Sequence, residues 1–276
     1  MIDDILNTLN VSAAENEGDY YKDNLLYCGI CNEPKEQIDT VIDIQIKHKV
    51  LCKCGQEERA KKENYYKSLE REKEIAYAKS IAFAHSDMKN WNFTNDNNQN
   101  QELTKFAKKF VDEFDKMLDN GIGILFYGTT GTGKTFISSC IVNELINQGY
   151  SCIMTNFSRI SNTIAGSYDG KQEYIDNLNK YDLLVIDDLG IERNTEYMQE
   201  IVFSVIDARY RLRKPIIITT NLTAKQLRAT DDINKQRIYS RLYEMCMPFE
   251  VSGQDKRDNI LKKNFKKVKE LLGMGE

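Results

Sequence analysis

Hydrophobic and polar positions follow two different periods along this chain, and the change from one to the other marks out its elements. Gly123-Ile124-Leu125-Phe126-Tyr127, Leu183-Leu184-Val185-Ile186 and Ile216-Ile217-Ile218 are short, unbroken apolar runs, as expected for strands covered on both faces. Five strands are predicted, at 122–127, 151–155, 182–187, 215–220 and 248–251. Pro215 can open the fourth, because the first residue of a strand can lack a ladder donor. Between them, stretches such as Phe136–Ile146 carry apolar residues at helical spacing. From Gln101 onward this alternation predicts an α/β fold with a five-stranded parallel sheet flanked by helices. Residues 55–86 are dense in Glu, Lys, Arg and Ala, with no Pro and no Gly after Gly55, which predicts a connecting helix. The asparagine-rich stretch 89–100 ends it. Four closely spaced cysteines fall before residue 55. Three regions are therefore expected: a small N-terminal module (1–54), a helical linker (55–100) and the α/β domain (101–276).

Composition narrows the class. A hydrophobic share of 41% with 29% charged residues is globular, and the net charge of −4 does not advertise a general affinity for nucleic acid. No apolar run of about 18 residues predicts a membrane span. With no signal-like opening segment, the expected location is the cytoplasm. Seven cysteines, an odd number, then point to thiols or metal rather than disulfides. Charge is uneven. Residues 1–24 carry six acids against the single base Lys22, and 255–270 carry seven bases against three acids. Both read as solvated surface, the basic tail having a phosphate backbone as its alternative partner.

The chemistry begins at Gly128-Thr129-Thr130-Gly131-Thr132-Gly133-Lys134-Thr135, which reads G-x-x-x-x-G-K-T between a predicted strand and a predicted helix. In that setting glycines let backbone N–H groups turn inward, and the helix offers its positive end to phosphate. Lys134 would reach the β- and γ-phosphates of a nucleoside triphosphate and Thr135 would ligate Mg²⁺. Asp187 and Asp188 end a buried strand, where open α/β sheets bind ligands. Asp187 would hold Mg²⁺ through water, and Asp188 would orient or deprotonate the attacking water. Asn221, ending Ile216-Ile217-Ile218-Thr219-Thr220, would either position that water or cap the helix that follows. Arg237 and Arg241 lie one turn apart on a predicted helix, and Arg257 follows the last strand. Spacing alone does not choose among them for neutralising transition-state charge.

Residues 120–258 resemble the AAA+ ATPases of the DnaC/DnaI helicase-loader group, which also includes the IstB-type transposition ATPases. The resemblance rests on Gly128–Thr135, Asp187-Asp188-Leu189-Gly190, Thr219-Thr220-Asn221, the Arg237/Arg241 pair and Arg257. It implies an AAA+ P-loop fold with Asn221 as sensor 1, Arg241 as the arginine finger offered to a neighbouring subunit, Arg237 as its companion with the two roles open to exchange, and Arg257 as sensor 2. Asp188 stands where most AAA+ proteins have Glu, and its shorter reach implies slow hydrolysis suited to a switch. Residues 158–176 fall where loaders carry an extra helical element that contacts single-stranded DNA.

Cys28-Gly29-Ile30-Cys31 and Cys52-Lys53-Cys54 form C-x-x-C…C-x-C, a pattern for tetrahedral Zn²⁺ in a closed structural site. His48 is close enough in sequence to replace Cys52 or Cys54. Cys140, Cys152 and Cys246 sit among apolar neighbours and are expected in the core. Several loaders of the resembling group place such a module ahead of the ATPase domain, where it is implicated in docking on the replicative helicase. The resemblance thus implies a helicase loader that binds a DnaB-type helicase and single-stranded DNA and self-associates through its ATP site. The alternatives are an IstB-type transposition regulator and a non-hydrolysing, nucleotide-gated adaptor.

Overall fold

The computed structural model describes residues 16–41, 44–84, 86–95, 100–166, 170–192, 195–230, 232–253, 255, 265 and 267–272. The chain divides into two compact units, 1–74 and 75–276.

The first unit holds two antiparallel hairpins, β1 (Tyr20–Lys22) with β2 (Leu25–Tyr27) and β3 (Glu36–Val41) with β4 (Ile44–Lys49). Asp23 and Asn24 turn the first hairpin at positive φ, a conformation these side chains tolerate. The long helix α1 (Lys53–Ala82) begins here and runs on into the second unit. It starts two residues earlier than the composition predicts, which puts Cys54 in its first turn. The Glu33 carboxylate accepts the Lys53 N–H at 2.7 Å, satisfying a donor that the helix itself cannot. The helix is polar on nearly all sides, with i,i+4 pairs such as Arg59–Glu63 and Glu58–Lys62, as suits a solvent-bridging connector.

In the second unit, α2 (Gln101–Asp112) and α3 (Phe114–Asn120) precede β5 (Gly123–Tyr127) and α4 (Lys134–Gln148). Then come β6 (Cys152–Thr155), α5 (Phe157–Gly166), α6 (Gly170–Lys180), β7 (Leu183–Leu189) and α7 (Glu196–Arg211). β8 (Ile216–Thr220), α8 (Ala224–Arg228), α9 (Ile233–Met245) and β9 (Cys246–Glu250) complete the order. The five strands form one parallel sheet in the order β6-β7-β8-β5-β9. All five predicted strands are present, with shifted ends. β9 starts at Cys246 because α9 stops at Met245 with no intervening loop. Pro248 is accommodated because β9 is an edge strand.

One apolar core lies on each face of the sheet. Phe126, Ile137, Ile141, Leu145 and Val185 pack with α2 and α3 on one side; Leu184, Ile186, Ile201, Ile218 and Leu242 pack with α5–α7 and α9 on the other. Cys140, Cys152 and Cys246 are buried in this unit, as expected. Arg209, fully buried, closes the end of the sheet opposite the functional loops. Its guanidinium donates to Tyr181 O (2.8 Å), Asp182 O (3.0 Å) and Pro215 O, satisfying carbonyls that strand ends would otherwise bury unpaired. The segment expected to break the linker helix forms two single turns, Asp87–Asn90 and Phe93–Asn95. Buried Asn143 of α4 clamps the first of these by donating to Met88 O and Trp91 O, both at 2.9 Å.

Candidate functional site: a nucleotide loop and a cysteine cluster

The loop 128–133 joins the end of β5, an interior strand between β8 and β9, to the start of α4. Its glycines are there for a geometric reason. Gly128 has φ +128° and a Cβ there would stand 2.6 Å from Val251 O, while Gly133, at φ +100°, turns directly into the helix. Thr129 and Thr130 are exposed at the tip, whereas Thr132 is buried and its hydroxyl donates to Thr129 O at 2.9 Å. Lys134 is also buried; its Nζ donates to Gly128 O (2.8 Å) and Thr129 O (2.7 Å), so the ammonium lies inside the curl of the loop.

Thr135, one residue on, faces β7. Its hydroxyl donates to Asp187 Oδ1 at 2.9 Å, with Oδ2 at 3.2 Å. The two predicted Mg²⁺ ligands, 52 residues apart in sequence, are therefore neighbours. A hydroxyl beside a carboxylate at the C-terminal edge of a parallel sheet is a hard oxygen donor set that fits Mg²⁺. Burial pushes the Asp187 carboxyl above the usual range, opposed by the hydrogen bond Thr219 donates to it. Asp187 and Asp188 were expected just at the strand's end, yet β7 runs on through them to Leu189. The ladder to β8 shifts register between Ile186 and Leu189, and Asp188 adopts φ +59°. Asn221 Nδ2 stands 3.4 Å from Asp188 Oδ1, bringing those two predicted residues together. The helix after Asn221 is capped by Thr223, through a reciprocal pair with Gln226, so Asn221 is not its cap.

The arginines stand apart from this group. Arg241 on α9 makes its contacts with α7: NH2 lies 2.6 Å from Asp207 Oδ1, and the guanidinium sits 4.3 Å over the Phe203 ring. Arg237, one turn earlier, is exposed. Both line an open concavity of about 510 Å³ with Phe203, Tyr210 and Glu244. Arg257 lies outside the described residues.

In the N-terminal unit the Sγ atoms of Cys28, Cys31 and Cys52 lie within 4.8 Å of one another. Backbone N–H groups of Cys54 and Glu33 point at the Cys31 sulfur and hold its thiol down at about 6, the setting of a thiolate ligand. The Cys54 thiol lies beside Cys31 and Cys28, and its hydrogen bond with Cys31 pushes it up to about 11. Clustered cysteine sulfurs of this kind are a donor set that fits Zn²⁺. His48 is not part of the group. In the β3–β4 register it faces Gln37, and its Nε2 lies 3.6 Å from Asp39 Oδ2, because alternation along β4 directs it onto the hairpin face shared with that neighbour. The expectation that His48 could replace a cysteine is corrected accordingly.

Residues 55–264, more than half of the chain, match the family described as IstB-like ATP binding protein. The chain belongs to that family. It is similar to the replicative helicase loader DnaC of Escherichia coli (strain K12), at 29% identity over 125 residues, covering 44% of this chain and 50% of the relative. It is also similar to the replicative helicase loader DnaI of Bacillus subtilis (strain 168), at 24% over 169 residues, covering 57% and 53%. The chain thus spans about half the length of the curated relatives it matches. A crystal structure of DnaI superposes with a TM-score of 0.53 at 21% identity, covering 65% of this chain and 98% of that one, which shows that the two share a fold. The matched residues include the loop 128–135. Among the described residues no helix is long and apolar enough to cross a membrane.

Sequence reasoning passed over three contributors to these sites: the Thr219 hydroxyl, the Asp207–Phe203 seat of Arg241, and Glu33 at the start of α1. Thr219 was visible as part of Thr219-Thr220-Asn221, but a threonine after an apolar run carries no sign of what its hydroxyl meets.

Proposed function

We propose that the protein is an ATP-dependent loader of a DnaB-type replicative helicase in DNA replication, working as a slow assembly and release switch. The observation that carries the nucleotide half of this reading is the Thr135–Asp187–Thr219 cluster directly beside the Lys134 loop. The names of the similar relatives support the loader half, and the cysteine module is consistent with it. In this reading residues 1–54 dock on the helicase, 55–100 link, and 101–276 form the ATPase.

Backbone N–H groups of the loop and Lys134 hold the phosphates, while Thr135 and Asp187 hold Mg²⁺. Held there, Mg²⁺ would supply positive charge to offset that of the phosphates. Asn221 and Asp188 orient a water for in-line attack on the γ-phosphorus. The new P–O bond forms as the bond to the β,γ-bridging oxygen breaks, that oxygen keeps the electron pair in ADP, and the water's proton passes to Asp188 and on to solvent. Arg241 of a neighbouring copy, or Arg237 in its place, neutralises charge on the transferred phosphoryl group, and Arg257 acts on the same phosphates in cis. Single-stranded DNA is bound by the ATPase domain, with residues 158–176 as its contact. Zn²⁺ held by Cys28, Cys31, Cys52 and Cys54 braces the docking module, and the protein works in the cytoplasm.

Co-purification with the replicative helicase of its own host, in ATP and in ADP, tests the loader reading. Retention of the helicase with ATP and its release with ADP is expected. Retention of a transposase and no helicase would favour an IstB-type regulator instead. Asp188→Asn is expected to lower single-turnover hydrolysis by about 10²–10⁴-fold, the usual contribution of a positioned base, with ATP binding retained. Turnover too low to fall further in that variant would mark a nucleotide-gated adaptor.

A further inference from the structure

We propose that Thr219 is a positioning residue for ATP hydrolysis, whose hydroxyl locks the Asp187 carboxylate and the Asp188 peptide into one unit. The inference rests on the Mg²⁺–ATP reading of the site given above.

Thr219 is fully buried on β8, directly after three apolar residues of the same strand. A hydroxyl so placed must find partners, and it has one proton to give and lone pairs to offer. Thr219 Oγ1 donates to Asp187 Oδ1 at 2.6 Å and accepts the Asp188 N–H at 2.9 Å. Both partners are the acids the chemistry needs. Thr220, its equally buried neighbour, differs: its Oγ1 donates to Leu189 O at 2.6 Å and accepts the Leu222 N–H at 3.2 Å, both backbone groups. One threonine ties strands together, whereas the other ties strand to site.

The register of the sheet explains why a side chain is needed there. The β7–β8 ladder is regular through Ile186–Ile218 and resumes at Leu189–Thr220, leaving Asp187 and Asp188 in the gap. Within that gap the Thr219 hydroxyl takes the Asp188 N–H in place of a ladder carbonyl. That bond helps hold Asp188 at φ +59°, in the left-handed region that a short polar side chain such as Asp can enter. The left-handed turn brings the Asp188 carboxylate to Asn221, while Asp187 keeps its contact with Thr135. Released from Thr219, the two carboxylates would be free to turn independently, and the metal ligand and the water-orienting group would lose their common frame.

The test uses the full chain with Thr219→Val, which removes the hydroxyl and keeps the branched shape, and Thr219→Ser, which keeps the hydroxyl. Thr219→Val is expected to weaken the Mg²⁺ requirement curve and single-turnover hydrolysis by about 10–100-fold, the range for losing a partner that orients a metal ligand. Binding of ATP in EDTA should stay within about twofold, and Thr219→Ser should recover most of both losses. Should the Val variant not fold by circular dichroism, Thr219→Ala supplies the same comparison. Parent-like Mg²⁺ dependence in the Val or Ala variant would overturn the proposal, as would Ser behaving no better than Val, or an equal loss of metal-free ATP binding. Lys134→Ala measured alongside separates the two readings. If it leaves metal-free ATP binding intact, the nucleotide site itself is misassigned; if it weakens binding while Thr219→Val behaves like the parent, only the role of Thr219 falls.

Discussion

Lys134→Ala is expected to reduce ATP affinity by roughly 10–100-fold, the equivalent of one hydrogen bond to a charged group at about 1.5–3 kcal/mol. The side chain is buried within the loop and its ammonium rests on the carbonyls of Gly128 and Thr129. Those two bonds brace the loop and not the strands or helices of the core. The variant should therefore keep its fold and melt close to the parent. Trp91 offers a direct readout, since it is the only tryptophan in the chain and its ring lies 5.6 Å from that of Phe136, two residues past Lys134. A fluorescence titration with ATP should saturate for the parent and stay flat in the same range for the variant. Unchanged affinity would remove the nucleotide loop from the account, and the loader reading with it.

Metal removal is the second large effect expected. Among the described residues before α1, the buried side chains are Leu26, Cys28, Cys52 and Lys35, the last paired with Asp19 at 2.5 Å. Two two-stranded hairpins with so thin a core do not hold together unaided in water. Structural zinc contributes about 10–16 kcal/mol in comparable small modules, enough to decide the matter. Purified protein is expected to carry one zinc per chain. Stripping it with a chelator should raise amide exchange across residues 16–52 to unfolded rates while exchange in the sheet of residues 123–250 and ATP binding stay unchanged. Substoichiometric zinc, or exchange indifferent to the chelator, would contradict the zinc assignment without touching the nucleotide site.

Much of the architecture was legible in the linear pattern, because its causes are local. Unbroken apolar runs mark strands covered on both faces wherever they occur, and Ile216–Ile218 and Leu183–Ile186 needed no partner to be recognised. The glycine loop was equally plain, since positive φ at Gly128 and Gly133 favours glycine at those spacings. The misjudged boundaries have non-local causes. β7 runs past its acids because Leu189 finds Thr220 on β8, and α1 begins early because Glu33, 20 residues upstream, caps Lys53. His48 looked like a candidate ligand by proximity along the chain, yet the β3–β4 register, which proximity does not reveal, turns it to Asp39.

The same division runs through the chemistry. Residue types and spacing were sufficient for an α/β domain of an ATP-binding family, its glycine-rich loop, its acid pair and a group of cysteines earlier in the chain, since each is encoded within a few consecutive positions. Strand order and register decided the rest. They set Thr135 against Asp187, delivered the Thr219 hydroxyl to both acids, opened the gap in which Asp188 turns toward Asn221, and seated Arg241 on Asp207 and Phe203. Those contacts join residues 31–52 positions apart, or residues on two different helices, and a hydrogen bond between strands exists only once the sheet has chosen which strands are neighbours.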